Sequence, residues 1–219
     1  MNRLFPSIYY PAFLNIRSKR CVVVGGGKVA LGKIKALLEC GAEVTVVSPT
    51  IDPELAQLVK AKTISLISRE YEPEDTKDVF MTIAATDMRE INVKVAADAR
   101  KRGILINIAD NSELSNFIIP SYFRRGGLTM AISTSGMSPA LARKIRSKLE
   151  KNFGEEYGLL LSLIKEVRSE LKQRGRVVSA NAWQEALDLD LLIGLLREGQ
   201  KEEVKAILLK KLEACEEKK

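Results

Sequence analysis

A glycine-rich stretch near the start of the chain has the residue types that hold the phosphates of a nucleotide. It follows the apolar run 20–25, fits the pattern GxGxxA, and consists of Gly25, Gly26, Gly27, Lys28, Val29 and Ala30. In this pattern the first glycine permits a tight turn, the second lets backbone N–H groups approach a pyrophosphate, and the small last residue lets a helix pack close to a strand. The helix that begins here adds about half a positive charge. The stretch predicts a dinucleotide site; the alternative is a glycine turn in an α/β fold without nucleotide.

The acid that usually holds the ribose hydroxyls of NAD is missing from its expected place. An Asp or Glu is typical at the end of the second strand of such a unit, but this chain has Ser48, Pro49 and Thr50 there. An arginine that would bind the 2′-phosphate of NADP is missing there too. We expect Ser48 or Thr50 to contact the adenosine ribose. NAD is the predicted cofactor, with NADP left open.

Polar residues follow two further predicted strands, at the edge where the carboxyl ends of parallel strands face a ligand crevice. Ala85 and Thr86 end the fourth strand and are candidate cofactor-binding residues, with Thr86 expected to line the nicotinamide side. Asp87 is expected to cap the next helix. Asn107 and Asp110 end the fifth strand, and Asn107 is a candidate substrate-binding residue. A carboxylate in that position accepts a proton, so Asp110 is the predicted general base. A turn or an Asx cap is its alternative role.

A basic segment provides the candidate binding site for an anion other than the cofactor. Residues 121–149 contain lysine and arginine but no acid, within a chain of net charge +7. Hydroxyl groups and a helix start stand in the same segment, and this combination binds carboxylates. The candidate substrate-binding residues here are Ser133, Thr134, Ser135, Ser138, Arg143 and Arg146. A nucleic acid, a phosphate-bearing cofactor or a solvated basic helix face would explain the same charge.

The composition excludes several other kinds of site. The chain has no histidine and three cysteines, Cys21, Cys40 and Cys215, without a CxxC pair. A Ser-His-Asp triad, a zinc site with histidine ligands, a four-cysteine metal site and a disulfide framework are therefore excluded, and we expect a reducing cytoplasm. No tyrosine is followed four residues later by lysine, which excludes the short-chain dehydrogenases. No apolar run has the length of a membrane span, and the N-terminus does not read as a signal peptide.

Apolar strands alternate with amphipathic helices through the first half of the chain. Because the strands are mostly apolar throughout rather than at every second residue, both of their faces are expected to be covered. This pattern predicts an α/β fold with a doubly wound (Rossmann) parallel sheet, and Asp52 is the expected N-cap of the second helix. The predicted strands are 20–25, 42–49, 63–67, 78–86 and 104–110, and the predicted helices between them are 29–40, 53–60 and 88–101.

The pattern changes towards the C-terminus. One further strand is predicted at 128–134, followed by a helix that has Ser138 as its N-cap and runs to about residue 150. Amphipathic helices are predicted after it, at 155–173, 182–196 and 201–215. They indicate a small all-α C-terminal domain.

Six stretches of the chain occur in an order and spacing that resembles one known family. They are residues 10–14, 22–33, 41–49, 83–87, 106–121 and 130–150. The family is that of the precorrin-2 dehydrogenases, which includes the N-terminal module of siroheme synthases. The resemblance divides the chain into an NAD-binding Rossmann domain at 1–114, a segment for dimerisation and substrate framing at 115–150, and a helical domain at 151–219.

The resemblance implies an enzyme of siroheme biosynthesis: a cytoplasmic homodimer that oxidises precorrin-2 to sirohydrochlorin with NAD. Asp110 corresponds to the catalytic aspartate of the family, and Lys28, Val29, Pro49 and Thr50 fall where the family contacts NAD. Precorrin-2 carries many carboxylates, which gives the basic segment an anionic partner. Some members also insert ferrous iron into sirohydrochlorin, so a chelatase activity is an open second expectation. Neither nucleic acid nor a membrane is expected as a partner.

Two other classes of protein stay open from the sequence. An NAD(H)-sensing regulator that binds DNA would explain both the glycine-rich stretch and the basic segment. In a non-catalytic NAD-binding scaffold, dimerisation itself would be the function. Neither class needs Asp110, whereas the enzyme is expected to lose turnover when Asp110 is replaced by asparagine.

Overall fold

The computed structural model describes residues 8–214 with the exception of Asp110. The chain forms two compact units. The first, called the sheet unit, runs to Ile119 and includes Ser135–Met137. The second, called the helical unit, comprises Pro120–Thr134 and the residues from Ser138 onward.

A five-stranded parallel sheet forms the centre of the sheet unit. Its strands in chain order are β1 (Arg20–Val24), β2 (Glu43–Val47), β3 (Ser65–Ile67), β4 (Met81–Ala84) and β5 (Leu105–Ile108). They lie in the order β3-β2-β1-β4-β5, and every neighbouring pair is parallel. The chain changes direction across the sheet between β1 and β4, which is the switch point of doubly wound folds. The predicted doubly wound parallel sheet is confirmed.

Helices connect the strands of the sheet unit. In its described residues they are α1 (Lys28–Glu39), α2 (Pro53–Lys60), α3 (Arg89–Lys101) and a 3₁₀-helix at Pro73–Thr76. The N-cap of α2 is Asp52, whose side chain accepts a hydrogen bond from Glu54 N–H at 2.9 Å, and Pro53 occupies the first helical position. Both are local start signals of a helix, which explains why the predicted and observed bounds of α2 agree.

Alternate residues of β1 enter two different apolar clusters. Val23 belongs to the cluster that includes Ile34 of α1, whereas Val22 and Val24 belong to the cluster that includes Val95 of α3. Successive side chains of a strand point to opposite faces of the sheet. The sheet therefore has apolar side chains packed on both faces, as a strand without polar alternation requires.

The helical unit begins with a hairpin and continues with helices. The strands β6 (Ser121–Arg125) and β7 (Leu128–Ile132) pair antiparallel, and the helices are α4 (Pro139–Asn152), α5 (Glu155–Gln173), α6 (Ala180–Ala186), α7 (Leu189–Arg197) and α8 (Lys201–Ala214). Helices α5 to α8 share an apolar cluster in which Val167, Leu192 and Leu208 are fully buried. The small helical part predicted at the C-terminus is present.

Two features of the helical unit differ from the sequence prediction. A single strand was predicted at 128–134, but the structure pairs it with β6, whose residues SYFRR carry two arginines instead of an apolar run. A single helix was predicted at 182–196, which is wrong: α6 ends before Leu187, and α7 starts with Asp188 as its N-cap. The Asp188 side chain accepts a hydrogen bond from Leu191 N–H at 3.2 Å. An aspartate before an apolar helix is a start signal, and the prediction missed it.

Candidate nucleotide-binding site

A cleft of about 560 Å³ lies at the carboxyl ends of β1, β2 and β4 in the sheet unit. Clefts of this size hold small molecules and cofactors. All of the residues predicted to bind the cofactor line it, namely Gly25, Gly26, Gly27, Lys28, Val29, Ser48, Pro49, Thr50, Ala85 and Thr86. The structure therefore brings the candidate cofactor residues together, and their contact with a nucleotide stays a prediction.

The turn after β1 requires a glycine at Gly25. Its φ is +118°, a left-handed value that residues with a side chain disfavour, and its N–H donates to Val47 O at 2.9 Å. A Cβ there would lie 2.3 Å from Ala85 O. The chain therefore passes between the ends of β2 and β4 with no room for a side chain.

The next two glycines have different surroundings. A Cβ on Gly26 would lie 2.1 Å from Thr50 O and 2.9 Å from Ser48 Oγ, so Gly26 lies directly against the turn that follows β2. A Cβ on Gly27 would meet no described atom within 4 Å. Gly27 is the N-cap of α1 and borders open space, so a ligand can approach the backbone at this residue.

The start of α1 presents backbone N–H groups to this space. The first hydrogen bond of the helix, from Leu31 N–H to Gly27 O, spans 3.0 Å. The N–H groups of Lys28, Val29 and Ala30 therefore have no partner within the helix. The first turn has no acidic residue, and no side chain caps it. Because Lys28 also lines the cleft, this end of the helix suits a phosphate group.

The turn after β2 uses one of its own hydroxyl groups. Ser48 is buried, and its Oγ donates to Thr50 O at 2.6 Å. Of the two residues expected to contact the ribose, Ser48 thus has its hydroxyl hydrogen engaged, whereas Thr50 is exposed. Asp52 N–H donates to Gly26 O at 2.8 Å, and Asp52 lines the cleft. The sequence prediction treated Asp52 only as a helix cap and missed its place in the cleft.

The turn after β4 is held by Asn92 of α3. Asn92 Nδ2 donates to Thr86 O at 2.8 Å, Thr86 Oγ1 donates to Asn92 Oδ1 at 2.9 Å, and Met88 N–H donates to Thr86 Oγ1 at 3.2 Å. The expectation that Asp87 caps α3 is wrong, because the N-cap is Met88 and no side chain bonds there. Asp87 is instead exposed and lines the cleft. The sequence prediction missed Asn92, since an asparagine inside a helix carries no signal of such a contact.

Glu70 and Tyr71 line the cleft from the segment after β3. Tyr71 is buried, and its hydroxyl group donates to Asp98 Oδ2 at 3.0 Å. Burial raises the pKa of Tyr71 to about 12, so its hydroxyl group is neutral at physiological pH. The neighbouring Arg69 donates two hydrogen bonds to the carboxylate of Asp75, at 2.7 and 2.8 Å. This guanidinium group is therefore already paired with an acid.

Side chains from the segment after β5 bond to the backbone of that strand. Ile106 N–H donates to Asn116 Oδ1 at 2.8 Å, and Ile108 N–H donates to Ser115 Oγ at 2.9 Å. These two side-chain oxygens accept backbone N–H groups of β5 that a further strand would otherwise bond at this edge of the sheet. They fix the carboxyl end of β5, where the chain leads into Ala109, which lines the cleft.

The two site residues predicted at the end of β5 have different outcomes. Asn107 is buried, and its Nδ2 donates to Phe117 O at 3.1 Å, so this amide is used within the sheet unit. Asp110 lies outside the described residues, and its role as a general base stays a prediction. Its neighbour Ala109 donates its N–H to Ala84 O at 2.8 Å.

The remaining candidate substrate residues belong to both units. Ser135 is in the sheet unit, and the helical unit contains Ser133, Thr134, Ser138, Arg143 and Arg146. Ser138 caps α4 as predicted, since its Oγ accepts a hydrogen bond from Leu141 N–H at 3.2 Å. The guanidinium group of Arg146 lies 3.5 Å from a carboxylate oxygen of Glu150. The role of these residues in substrate binding stays a prediction.

Metal-ligating side chains are not clustered in the described part of the chain. There, no three or more histidine, cysteine, aspartate or glutamate side chains lie close enough together to hold a metal ion. Cys21 and Cys40 are free thiols, and burial raises the pKa of Cys21 to about 11. Membrane-spanning length and apolarity are likewise not found in any of the described helices.

Two protein-family models match the chain. One is described as NAD(P)-binding and matches residues 12–121, and the other is described as the central part of a sirohaem biosynthesis protein and matches residues 125–152. The chain is 38% identical over 195 residues to siroheme synthase 1 of Aeromonas salmonicida, covering 88% of this chain and 42% of that protein. It is 41% identical over 167 residues to the siroheme synthase of Nitrosomonas europaea, covering 76% and 35%. The chain thus spans less than half the length of these curated relatives.

A solved structure is similar over nearly the whole chain. It is that of SirC, described as a precorrin-2 dehydrogenase, with a TM-score of 0.72 and 28% sequence identity. The match covers 94% of this chain and 100% of that chain. The predicted dinucleotide-binding domain is confirmed by the family model that spans the cleft.

Proposed function

The chain belongs to the NAD(P)-binding family of the siroheme synthases and precorrin-2 dehydrogenases, and we propose that it is an NAD-dependent precorrin-2 dehydrogenase. In this reaction precorrin-2 loses a hydride to NAD⁺ and a proton to a base, and the products are sirohydrochlorin, NADH and H⁺. The observation that carries the proposal is the cleft at the switch point of the sheet. Its open space borders Gly27 and the unpaired N–H groups at the start of α1.

The residues of the cleft fit a nicotinamide dinucleotide. The N–H groups at the start of α1, together with Lys28, would hold the pyrophosphate. Pro49 and Thr50 would border the adenosine ribose, and Thr86 would line the nicotinamide side. NAD, when bound, supplies the acceptor of the hydride. Asn92 keeps Thr86 in place through two hydrogen bonds, so this wall of the cleft is fixed before a ligand arrives.

Asp110 is the group to which we assign the proton. It follows Ala109 in the chain, and Ala109 lines the cleft. The hydrogen bonds that Ile106 N–H and Ile108 N–H donate to Asn116 and Ser115 fix the strand β5, which precedes this residue in the chain. General-base assistance is worth about 10²–10⁴ in rate.

The substrate is a polycarboxylate, and we assign its binding to the basic helix α4 and the residues before it. Arg143 and Lys144 are exposed, and Ser138 begins the helix. An apolar stripe also reaches the surface of α4, because Leu141 and Ile145 stand one turn apart and are 52% and 36% exposed. We assign this stripe to the contact between two copies of the chain in a homodimer.

An anaerobic incubation of the purified chain with precorrin-2 and NAD⁺ tests the proposed function. NADH and the spectrum of sirohydrochlorin are expected to appear together. Asp110→Asn should bind NADH like the wild type but form sirohydrochlorin about 10²–10⁴ times more slowly. If neither NAD⁺ nor NADP⁺ supports the oxidation, the proposed enzyme is wrong, and NADH-dependent binding to DNA would then favour a regulator.

The same incubation tests the insertion of iron. Ferrous iron is added after the oxidation is complete, and the spectrum of siroheme is followed. Formation of siroheme faster than in a protein-free mixture would demonstrate a chelatase. An equal rate in both mixtures would restrict the chain to the dehydrogenase step.

A further inference from the structure

We propose that Asp52 makes the cleft select NAD over NADP, by accepting hydrogen bonds from the adenosine ribose and by repelling a 2′-phosphate. The inference rests on the proposed function only in that the cleft binds a nicotinamide dinucleotide. The sequence left this choice open, because the acid usually found at the end of β2 is replaced by Ser48.

The fold brings Asp52 to the place of the missing acid. β2 ends at Val47, and the next residue, Ser48, uses its hydroxyl hydrogen on Thr50 O. The turn then folds back onto the glycine-rich stretch, because Thr50 O lies against Gly26 and Asp52 N–H donates to Gly26 O at 2.8 Å. Asp52 therefore lines the cleft beside the glycine turn, although it stands four residues after the usual position.

The carboxylate of Asp52 retains hydrogen-bonding capacity for a ligand. Its Oδ1 accepts the N–H of Glu54 at 2.9 Å, and no described group forms a hydrogen bond with its Oδ2. The residue is half-buried at the cleft. An ionised carboxylate accepts hydrogen bonds and does not donate them, so it pairs with the ribose hydroxyl groups of NAD. A phosphate in place of the 2′-hydroxyl would bring two negative groups together.

The other charged groups of the cleft do not offset this charge. Among the described residues that line the cleft, Lys28 is the single cation, and it stands at the start of α1, where the pyrophosphate is expected. Glu70 adds another carboxylate to the lining. Arg69 is held by the two hydrogen bonds to Asp75. A site for NADP needs a cation near the 2′-phosphate, and the charges described here oppose that phosphate.

Titration of the full chain with NADH and with NADPH, followed by the fluorescence of the nucleotides, tests the inference in the wild type and in Asp52→Asn. Asparagine caps a helix as well as aspartate does, so this variant keeps the N-cap of α2 and loses the charge. We expect the wild type to bind NADH more tightly than NADPH. The dissociation constant of NADPH divided by that of NADH should fall by about ten- to hundredfold in Asp52→Asn, which is the range for a hydrogen bond to a charged group.

Glu54→Gln is the matched control. It removes the same charge two residues away, from a side chain that is exposed, pairs with Lys35 and does not line the cleft. Its ratio of dissociation constants should stay at the wild-type value. If Asp52→Asn does not fold, Asp52→Ser takes its place, because serine is also an N-cap and carries no charge.

Three results would overturn the inference: a wild type that binds NADPH as tightly as NADH, an unchanged ratio in Asp52→Asn, or an equal change of the ratio in Glu54→Gln. The proposed function can fail separately. A chain that prefers NADH through Asp52 but does not oxidise precorrin-2 supports the inference and refutes the dehydrogenase. A chain that binds neither nucleotide refutes both.

Discussion

Replacement of Gly26 by alanine tests how the glycine-rich stretch is packed. The added Cβ would lie 2.1 Å from Thr50 O and 2.9 Å from Ile51 Cγ2, whereas real Cβ contacts stay above 3.0 Å. Because Thr50 O belongs to the backbone, the turn after β2 must move by about 1 Å. That movement disturbs the two hydrogen bonds of the turn, from Ser48 Oγ to Thr50 O and from Asp52 N–H to Gly26 O.

The cost of Gly26→Ala follows from these contacts. Two hydrogen bonds are worth about 1 kcal/mol each, and overpacking adds about 1–3 kcal/mol. The φ of Gly26 is not in the left-handed region, so backbone strain contributes nothing further. We expect the free energy of unfolding to fall by about 3–5 kcal/mol. NADH should also bind more weakly, because the displaced turn carries Thr50 and Asp52.

Gly27→Ala is the matched control for this substitution. Its Cβ would meet no described atom within 4 Å, and φ of Gly27 is −85°, which alanine adopts freely. The free energy of unfolding should fall by at most about 1 kcal/mol, the cost of alanine at an N-cap. The methyl group would, however, occupy the space in front of the N–H groups of α1, so the affinity for NADH should fall.

Urea unfolding followed by far-ultraviolet circular dichroism, combined with NADH titration, measures both effects. The single tryptophan, Trp183, lies in α6, so its fluorescence reports on the helical unit separately. The packing argument is refuted by a Gly26→Ala variant as stable as the wild type, or by a Gly27→Ala variant that loses as much stability as Gly26→Ala. Unchanged NADH affinity in Gly27→Ala would refute the phosphate site at α1.

Three further substitutions test other contacts. Asn92→Ala removes both hydrogen bonds to Thr86, so KM for NAD⁺ should rise about tenfold with kcat nearly unchanged; a fall in kcat alone would contradict the positioning role. Thr82→Val should raise the free energy of unfolding in urea by about 1 kcal/mol, because Thr82 is fully buried and its Oγ1 has no partner among the described residues; a loss of stability would contradict this. Burial raises the pKa of Asp75, but the hydrogen bonds from Arg69 and from Glu72 N–H, together with the charge of Arg69, outweigh burial and hold that pKa below its ordinary 3.8. The pair therefore stabilises the fold above about pH 4 and loses this contribution as the pH falls further, so Asp75→Asn should lose less stability than the wild type between about pH 5 and pH 3; equal losses would refute the pairing.

Elements with local signals could be predicted from the sequence. β-branched runs that end at a glycine or a proline marked β1 and β2, and Asp52 before Pro53 marked the start of α2. The candidate cofactor residues could also be predicted, because they stand at the ends of these elements. In a strand–turn–helix unit the glycine turn and the helix start are neighbours in the chain, and parallel strands bring their carboxyl ends to one edge.

The prediction missed elements for two reasons. One element has no local sequence signal, and at another position the apolar periodicity was given more weight than a helix-start signal. β6 carries two arginines and is a strand because it pairs with β7 along its whole length. Asp188 gave a start signal, but the apolar periodicity on both sides of it was read as one helix. Periodicity reports which face of an element is apolar and does not report where the backbone breaks.

The sequence alone fixes the residues of the nucleotide turn, and the folded chain alone decides which distant side chains complete the cleft. Asp52 reaches Gly26 because the turn after β2 folds back over β1, and Asn92 holds Thr86 because α3 packs beside the end of β4. Ser115 bonds to β5 because that strand has an open edge in the sheet. Such contacts depend on the order of the strands and on how helices pack on them. The strand order and the helix packing together minimise the free energy of the whole unit, so they cannot be predicted from a short stretch of residues.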